Sequence, residues 1–275
     1  MRTINTFALA PCFTEEAKRE QERILAYLRD QYPEIRQTVP SVADLILVFG
    51  GDGTLLQAIR SLRPLQAKIL AFKVGLEGFL TSVRDPADFV RTLDRAIAGT
   101  LTDLRVPYMC VEKAGEGRVV FGVNDVLVER TMTWLQLQVN VVTPEGTQTL
   151  RETKGSGICV VTAIGSTTPM ARQFGCSPID PKLPALYVRV TNDVQTSHGF
   201  FVSGKEARLQ IRLLRTEKNP GIPNERHREP ELFVDGHFVD DMRDRDQVEI
   251  SFGESPCTVL RLPEDGHWSR VARIG

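Results

Sequence analysis

Three glycines surround a single acid in the run Gly50-Gly51-Asp52-Gly53-Thr54, directly after the apolar stretch LILVF. Glycine permits positive φ angles and lacks the Cβ atom that would obstruct a chain of phosphate groups. We expect Thr54 to cap a following helix, whose N-terminal amides attract anions. Asp52 then lies at the carboxyl end of a buried strand, which is where open α/β sheets bind ligands.

A carboxylate beside such amides repels phosphate unless it binds a cation or accepts a proton from an attacking hydroxyl, so the turn indicates phosphoryl transfer. The alternative is an ordinary strand-to-helix turn, although such a turn needs only one or two glycines. Two better-known phosphate motifs do not fit. Glu206 follows Gly204-Lys205, which excludes a Walker A loop, and Leu56 stands where G-x-G-x-x-G needs its last glycine.

The elements that position this turn alternate between strands and helices in residues 1–100. Thr14 to Arg29 begins with a capping residue and early acids, which predicts a helix. LILVF, the glycine turn, TLLQAIRSL and AKILAF then read as strand, turn, helix and strand, a βαβ unit that requires a parallel sheet. FVRTLDRAIAG predicts a further amphipathic helix that ends at Gly99.

Short strand signals replace helical periodicity from residue 101 onwards, which favours a β-sandwich or a similar all-β architecture. We therefore predict an α/β domain with a mostly parallel sheet over residues 1–100, a β-rich, sandwich-like domain over residues 101–253, and a segment 254–275 that returns to the first domain. The polar stretch from Glu217 to Glu229 predicts a surface loop. The strand candidates are VVFGVNDVLV, WLQLQVNVV, GICVVT, ALYVRV, ARLQIRLL, ELFVDG, QVEISF and CTVLRL.

Composition points to a reduced, cytoplasmic protein without a nucleic-acid or membrane partner. The 34 basic and 35 acidic residues give a net charge of -1, so no long-range positive field attracts nucleic acid or anionic lipid. The N-terminal run MRTINTFALAPCF is too short and too polar for a signal peptide or a membrane span. Five scattered cysteines contain no C-x-x-C pair, which argues against a disulfide framework or a structural zinc site.

The segment LILVFGGDGTLLQAI resembles the signature of the NAD kinase family, which shares GGDGT with diacylglycerol and sphingosine kinases. Further blocks occur in the order found in that family, and the resemblance spans residues 45 to 253. These blocks are Gly75-Leu-Glu-Gly78-Phe79-Leu80-Thr81, Val123-Asn124-Asp125-Val126, Gly155 to Thr167 and Phe233-Val234-Asp235-Gly236.

The resemblance implies a kinase that transfers a phosphoryl group from ATP, or from another donor such as polyphosphate, to the 2′-hydroxyl of NAD. It also implies Mg²⁺ or another divalent cation, a homodimer or homotetramer, and an active site between the two domains. Asp52 would activate the hydroxyl, Asn124 and Asp125 would hold ribose hydroxyls, and Thr167 would bind the substrate from a second turn. The other implied nucleotide-binding residues are Gly50, Gly51, Gly53, Thr54, Gly78, Phe79, Thr162, Ala163, Gly165 and Ser166.

Departures from the family pattern fall on the expected acceptor side. Lys73 replaces an Asn, Ser156 replaces an acid, Ile164 lies in an altered T-P-T-G-S-T run, and Pro169 replaces an aromatic residue. Two alternatives therefore stay open: a kinase for another nucleoside, nucleotide or polyol, or a catalytically silent dinucleotide-binding regulatory protein. A lipid acceptor is disfavoured, since no exposed amphipathic segment is evident.

Other chemically suggestive residues favour structural interpretations. We interpret Asn192-Asp193 as a turn and His198 as a loop residue. Cys159 lies in the apolar run ICVV and reads as a buried thiol. Lys73 fits either a phosphate contact or a simple strand end.

Overall fold

A computed structural model describes residues 4–62, 66–75, 78, 80–83, 85–130, 134–193, 199–217 and 229–263. The chain divides into two compact units. The first comprises residues 1–106 and 256–275, and the second comprises residues 107–255.

The first unit contains a six-stranded sheet with the order β2-β1-β3-β4-β18-β5. All neighbouring pairs are parallel except β18 and β5. The mostly parallel sheet predicted for this region is therefore confirmed. The strands are β1 (Thr6–Leu9), β2 (Arg36–Gln37), β3 (Leu45–Gly50), β4 (Lys68–Lys73), β5 (Thr102–Val106) and β18 (Cys257–Arg261).

Three α-helices in the described part of this unit are α1 (Glu15–Gln31), α2 (Asp52–Ser61) and α3 (Phe89–Ile97). Short 3-10 turns occupy Pro40–Val42 and Pro86–Asp88. The predicted cap of α1 is confirmed, because the Thr14 hydroxyl accepts a hydrogen bond from the Ala17 N–H at 3.1 Å. Aromatic and aliphatic side chains from the sheet and helices form the core, in which Phe72 packs against both Phe49 and Phe89.

The second unit contains two six-stranded sheets, ordered β10-β9-β14-β17-β6-β7 and β13-β12-β11-β8-β15-β16. Every pairing within them is antiparallel, and their facing side chains share one apolar core, so the predicted sandwich is confirmed. The unit also contains a 3-10 turn (Gly165–Thr167) and helix α4 (Pro169–Gln173). The strands are β6 (Met109–Lys113), β7 (Val119–Gly122), β8 (Asp125–Glu129), β9 (Trp134–Thr143), β10 (Gly146–Gly155), β11 (Gly157–Thr162), β12 (Ala185–Thr191), β13 (Phe200–Ser203), β14 (Arg208–Glu217), β15 (Glu231–Val234), β16 (His237–Asp241) and β17 (Gln247–Phe252).

One strand prediction is wrong in a way that matters for the site. The run VVFGVNDVLV forms two strands, β7 and β8, which belong to different sheets. Within the second unit, the chain leaves the sheet that contains β7 after Gly122 and enters the sheet that contains β8 at Asp125. Val123 and Asn124 therefore lie at a crossing between sheets, rather than in the middle of a strand.

Some strands, among them β10 and β1, give no periodic signal in the sequence. β10 (GTQTLRETKG) is exposed over most of its length, so it shows no alternation of apolar and polar residues. β1 (TFAL) is too short for a periodic signal, although it pairs with β3 inside the parallel sheet. Among the helices that the structure describes, none is long and apolar enough to cross a membrane.

Candidate functional site

The glycine turn joins β3 to α2. β3 is buried along its whole length and ends at Gly50, and Gly51 is the N-cap residue of α2 in an extended conformation. Asp52 is the first helical residue, so its carboxylate belongs to the first turn of a ten-residue helix. This is the end at which free backbone amides and the helix dipole favour negative charge.

The Asp52 carboxylate is fixed by the segment that follows β4. Its Oδ1 accepts a hydrogen bond from the backbone N–H of Leu80 at 2.7 Å. Asp52 itself is half-buried. The two sequence blocks that contain Asp52 and Leu80 are thus in direct contact, although the predicted Phe79 lies outside the described residues.

Thr54 does not cap α2, contrary to the expectation from its hydroxyl. The helix already begins at Asp52, and its N-cap makes no side-chain hydrogen bond. The Thr54 side chain instead packs on Gly50, where an added Cβ would lie 2.3 Å from the hydroxyl oxygen. Gly53 is exposed, and a Cβ there would meet no atom within 4 Å, so the outer side of the turn is open.

Gly78 is required by close packing within the same unit. A Cβ at this position would lie 2.8 Å from the Thr81 hydroxyl oxygen and 3.0 Å from Cγ of Lys73. The Lys73 side chain therefore runs past Gly78, while its backbone N–H donates to the carbonyl of Val83 at 2.8 Å.

In the second unit, Asn124 directly precedes β8, and Asp125 is the first residue of that strand. Asp125 is 6% exposed, and it pairs with Val161 of β11. The side-chain oxygen of Asn124 is buried, and it has no hydrogen-bond partner within the described structure. An unpartnered buried oxygen is costly, and a ligand hydroxyl or amide that donates to it would remove that cost.

Burial raises the pKa of the Asp125 carboxyl to about 7, and the neighbouring charge of Asp235 adds to the effect. Burial disfavours the charged form, and a second carboxylate disfavours it further. Asp125 therefore changes its protonation state near neutral pH, and its carboxyl is able to donate or accept a hydrogen bond there.

This raised pKa predicts that the wild-type protein loses stability as pH rises from the ordinary Asp value, 3.8, to about 7. Through that window the folded state holds a proton that the unfolded state has lost, so each rise in pH favours unfolding. Asp125→Asn removes the titration. As the pH rises from about 5 to about 8, the free energy of unfolding of the variant should increase relative to that of wild type by on the order of 2 kcal/mol. Thermal unfolding at the two pH values measures this change. An equal difference in melting temperature at both pH values would contradict the assigned pKa.

The segment Thr162 to Thr167 forms a compact turn after β11. Its hydroxyls bond within the protein: Thr162 Oγ1 donates to the carbonyl of Val123 at 2.6 Å, and Ser166 Oγ donates to the carbonyl of Ala163 at 2.6 Å. Thr167 Oγ1 donates to the carbonyl of Ile164 at 3.1 Å and stays only partly buried.

This turn is in contact with Asn124. The Thr162 N–H donates to the Asn124 carbonyl at 2.9 Å, and a Cβ at Gly165 would lie 2.0 Å from the same oxygen. The structure therefore brings together the predicted residues of the second unit, namely Asn124, Asp125 and the Thr162–Thr167 turn. In the first unit, Thr54 packs on Gly50 and Asp52 accepts the Leu80 N–H.

Comparison with known proteins supports the family predicted from the sequence motifs. A family model described as the ATP-NAD kinase N-terminal domain matches residues 3–101. An NAD kinase from Fusobacterium nucleatum subsp. nucleatum is 25% identical over 278 residues, which cover 94% of this chain and 92% of that protein. The chain belongs to the NAD kinase family. The family predicted from the ordered motifs is thereby confirmed.

Two solved NAD kinase-type structures share the fold. A yeast NADH kinase complexed with NADH has a TM-score of 0.82 at 17% identity, over 99% of this chain and 87% of that one. An NAD kinase from Archaeoglobus fulgidus in complex with ATP has a TM-score of 0.72 at 20% identity, over 98% of this chain and 99% of that one. They confirm the predicted combination of an α/β part and a β-rich part.

Two of the departures from the NAD kinase pattern, Pro169 and Ser156, have local structural explanations. Pro169 is the first residue of α4, a position where proline is favoured, and the Thr168 hydroxyl caps that helix. Ser156 Oγ accepts a hydrogen bond from Asn192 Nδ2 at 2.9 Å and contacts the Thr191 hydroxyl. Neither substitution leaves a polar group that needs a different ligand.

The remaining candidate residues are structural or lie outside the described residues. Asn192 has a positive φ of 50° in a turn, and the carboxylate of Asp193 is 3% exposed and pairs with Arg151 at 2.5 Å. Cys159 is fully buried, and burial raises the pKa of its thiol. His198 and most of the Glu217–Glu229 loop are not among the described residues.

Sequence reasoning missed two contributors to the site. The Leu80 N–H that holds Asp52 is a backbone group, so residue type gave no signal. Asp235 was recognised only as part of a family-like hairpin, although an Asp-Gly pair after a strand is a strong turn signal.

Proposed function

We propose that this chain transfers the γ-phosphoryl group of ATP to the 2′-hydroxyl of NAD and so produces NADP. The observation that carries the proposal is the Gly50–Thr54 turn, with Asp52 fixed in the first turn of α2 by the Leu80 N–H. The proposal is supported by relatives that are themselves NAD kinases, among them those of Fusobacterium nucleatum and Methanothermobacter thermautotrophicus.

In the proposed reaction, Asp52 accepts the proton of the attacking 2′-hydroxyl. The hydroxyl oxygen forms a bond to the γ-phosphorus, the bond from that phosphorus to the bridging oxygen breaks, and ADP leaves. A ribose hydroxyl is a poor nucleophile at neutral pH, so a positioned base contributes directly to the rate. The open space beside Gly53 and the amides at the start of α2 suit the donor phosphates.

Asn124 and Asp125 are proposed to hold ribose hydroxyls of the dinucleotide. The buried side-chain oxygen of Asn124 has no hydrogen-bond partner within the described structure, and a ribose hydroxyl would donate a hydrogen bond to it. The Asp125 carboxyl titrates near neutral pH, so it is able to exchange hydrogen bonds with a second hydroxyl. Thr167 is the least buried of the three hydroxyl residues in its turn, and it is proposed as a further substrate contact.

A divalent cation such as Mg²⁺ is part of the proposal. Within the described ranges, no group of three or more His, Cys, Asp or Glu side chains is arranged to hold a metal ion. Mg²⁺ is commonly bound through one or two carboxylates together with substrate phosphates and water, and in this mode Asp52 would be the carboxylate that contacts the cation. When bound, the cation would neutralise charge on the phosphates.

Several finer points are proposals of the same kind. Polyphosphate is a second candidate donor, and a homodimer or homotetramer is expected from the family resemblance. A cytoplasmic location is expected from the composition. We also propose that the first unit handles the donor phosphates, whereas the β-rich unit supplies dinucleotide contacts.

A panel of donors and acceptors tests the proposal. Purified protein is incubated with NAD, NADH, adenosine or a polyol as acceptor, and with ATP or polyphosphate as donor, in the presence of Mg²⁺. We expect ATP consumption to depend on the dinucleotide. A large preference for a different acceptor would replace the proposal with a kinase of other specificity, and tight NAD binding without any turnover would identify a silent binding protein.

A further inference from the structure

The carboxylate of Asp235 accepts hydrogen bonds from three consecutive backbone N–H groups. Its two oxygens lie 2.9 and 3.1 Å from the nitrogen of Val123, and Oδ1 lies 2.7 Å from that of Asn124 and 3.2 Å from that of Asp125. In return, the N–H of Asp235 donates to the Asp125 carbonyl at 3.0 Å. One side chain thus holds a segment that lies 110 to 112 positions earlier in the sequence.

The hairpin between β15 and β16 explains how this carboxylate reaches the segment. Asp235 and Gly236 form its two-residue turn, with φ angles of 49° and 74°. Asp-Gly is favoured in such turns because both central residues need positive φ. β15 also pairs with β8, where Val234 lies opposite Val126, so the turn lies beside the start of β8.

Consecutive N–H groups that converge on one point form an electropositive site for an anion. Here the anion is supplied by the protein, because Asp235 fills the site. Asparagine has nearly the same shape, but its amide offers one acceptor oxygen, carries no charge and adds two donors. It is therefore a poor replacement at a site made of donors.

The backbone of Asn124 is held from the opposite direction as well. Its carbonyl accepts the N–H of Thr162 at 2.9 Å, and Gly165 packs directly against it. Both backbone polar groups of Asn124 are therefore fixed, while its side-chain oxygen is buried without a partner. Such rigid support around a group that lacks its own partner is what a preorganised binding site needs.

We propose that Asp235 is a positioning residue for the proposed reaction and acts through Asn124. Its carboxylate fixes the peptide groups of residues 123–125, so that the Asn124 side-chain oxygen is held in place to accept a hydrogen bond from the dinucleotide. The inference rests on the proposed function, since it takes NAD as the ligand that donates a hydrogen bond to the Asn124 oxygen.

Asp235→Asn tests the inference by separating the two substrates. We expect the Kd and KM for NAD to rise about tenfold or more, the range for loss of a hydrogen bond to a charged group, while the Kd for ATP is unchanged. Asp244→Asn is the matched control, because Asp244 Oδ1 also accepts a backbone N–H, that of Thr216, at 2.8 Å. The control should leave both affinities unchanged.

Chemical rescue gives a second readout that simple loss of stability would not produce. Asp235→Gly keeps a backbone that accepts positive φ but removes the anion, so added formate should restore part of the NAD affinity in this variant and not in wild type. Unchanged NAD affinity in either folded variant would overturn the inference. So would the failure of both variants to fold, because a positioning residue leaves a folded chain behind.

Measurement of NAD affinity by calorimetry keeps this test separate from that of the function. If wild-type protein binds NAD but forms no NADP, the proposed function fails, whereas the comparison of dissociation constants still decides the role of Asp235. If wild-type protein does not bind NAD, both are overturned.

Discussion

Asp52→Asn is expected to lower kcat for NADP formation by about 10² to 10⁴-fold, the usual contribution of a positioned general base. The amide cannot take a proton from the attacking hydroxyl. Its oxygen is still able to accept the Leu80 N–H that the carboxylate accepts at 2.7 Å in the wild type. The melting temperature should therefore change little, so that loss of activity is separated from loss of fold.

The matched control is Asp85→Asn in the same unit. Asp85 Oδ1 likewise accepts a backbone N–H, that of Ala87, at 2.9 Å, but it caps an exposed 3-10 turn. Its replacement should leave kcat unchanged. Near-normal turnover by Asp52→Asn, measured with saturating ATP and NAD, would remove Asp52 from the mechanism.

Gly165→Ala is expected to damage both stability and dinucleotide binding. The added Cβ would lie 2.0 Å from the carbonyl oxygen of Asn124, 2.6 Å from its carbonyl carbon and 2.8 Å from its Cα. These are backbone atoms held by hydrogen bonds, so relief requires displacement of the chain. We expect a loss of about 1–3 kcal/mol or more, typical of overpacking in a buried region, together with a raised KM for NAD.

Gly53→Ala is the stability control for Gly165→Ala. A Cβ at Gly53 would meet no atom within 4 Å, and alanine has the higher helix propensity, so the melting temperature should hold or rise. An unchanged melting temperature and unchanged NAD affinity in Gly165→Ala would show that the contact between Gly165 and Asn124 contributes neither to stability nor to NAD binding.

The sequence was most informative where local patterns and burial agree. The apolar run LILVF became the fully buried β3, and Thr14 became the cap of α1, because each depends on residues close in the chain. The parallel sheet followed from the order of strand, turn, helix and strand. Insertion of β18 between β4 and β5 had no local signal, since it joins segments far apart in sequence.

The site was less predictable because tertiary contacts determine its geometry. VVFGVNDVLV has the residue types of one strand, yet the chain changes sheets at Val123 and Asn124, whose N–H groups bond to Asp235 instead of a neighbouring strand. Thr54 is a residue type that is common at helix N-caps, but α2 already begins at Asp52. The Thr54 side chain packs on Gly50 instead.

The position of phosphate in the reaction product tests the central claim most directly. Wild-type protein is incubated with ATP, NAD and Mg²⁺, and the dinucleotide product is purified and examined by phosphorus NMR. We predict one new phosphomonoester on the 2′-oxygen of the adenosine ribose, and none when Asp52→Asn replaces the wild type. A phosphate at any other hydroxyl, or no phosphorylated dinucleotide, would contradict the account.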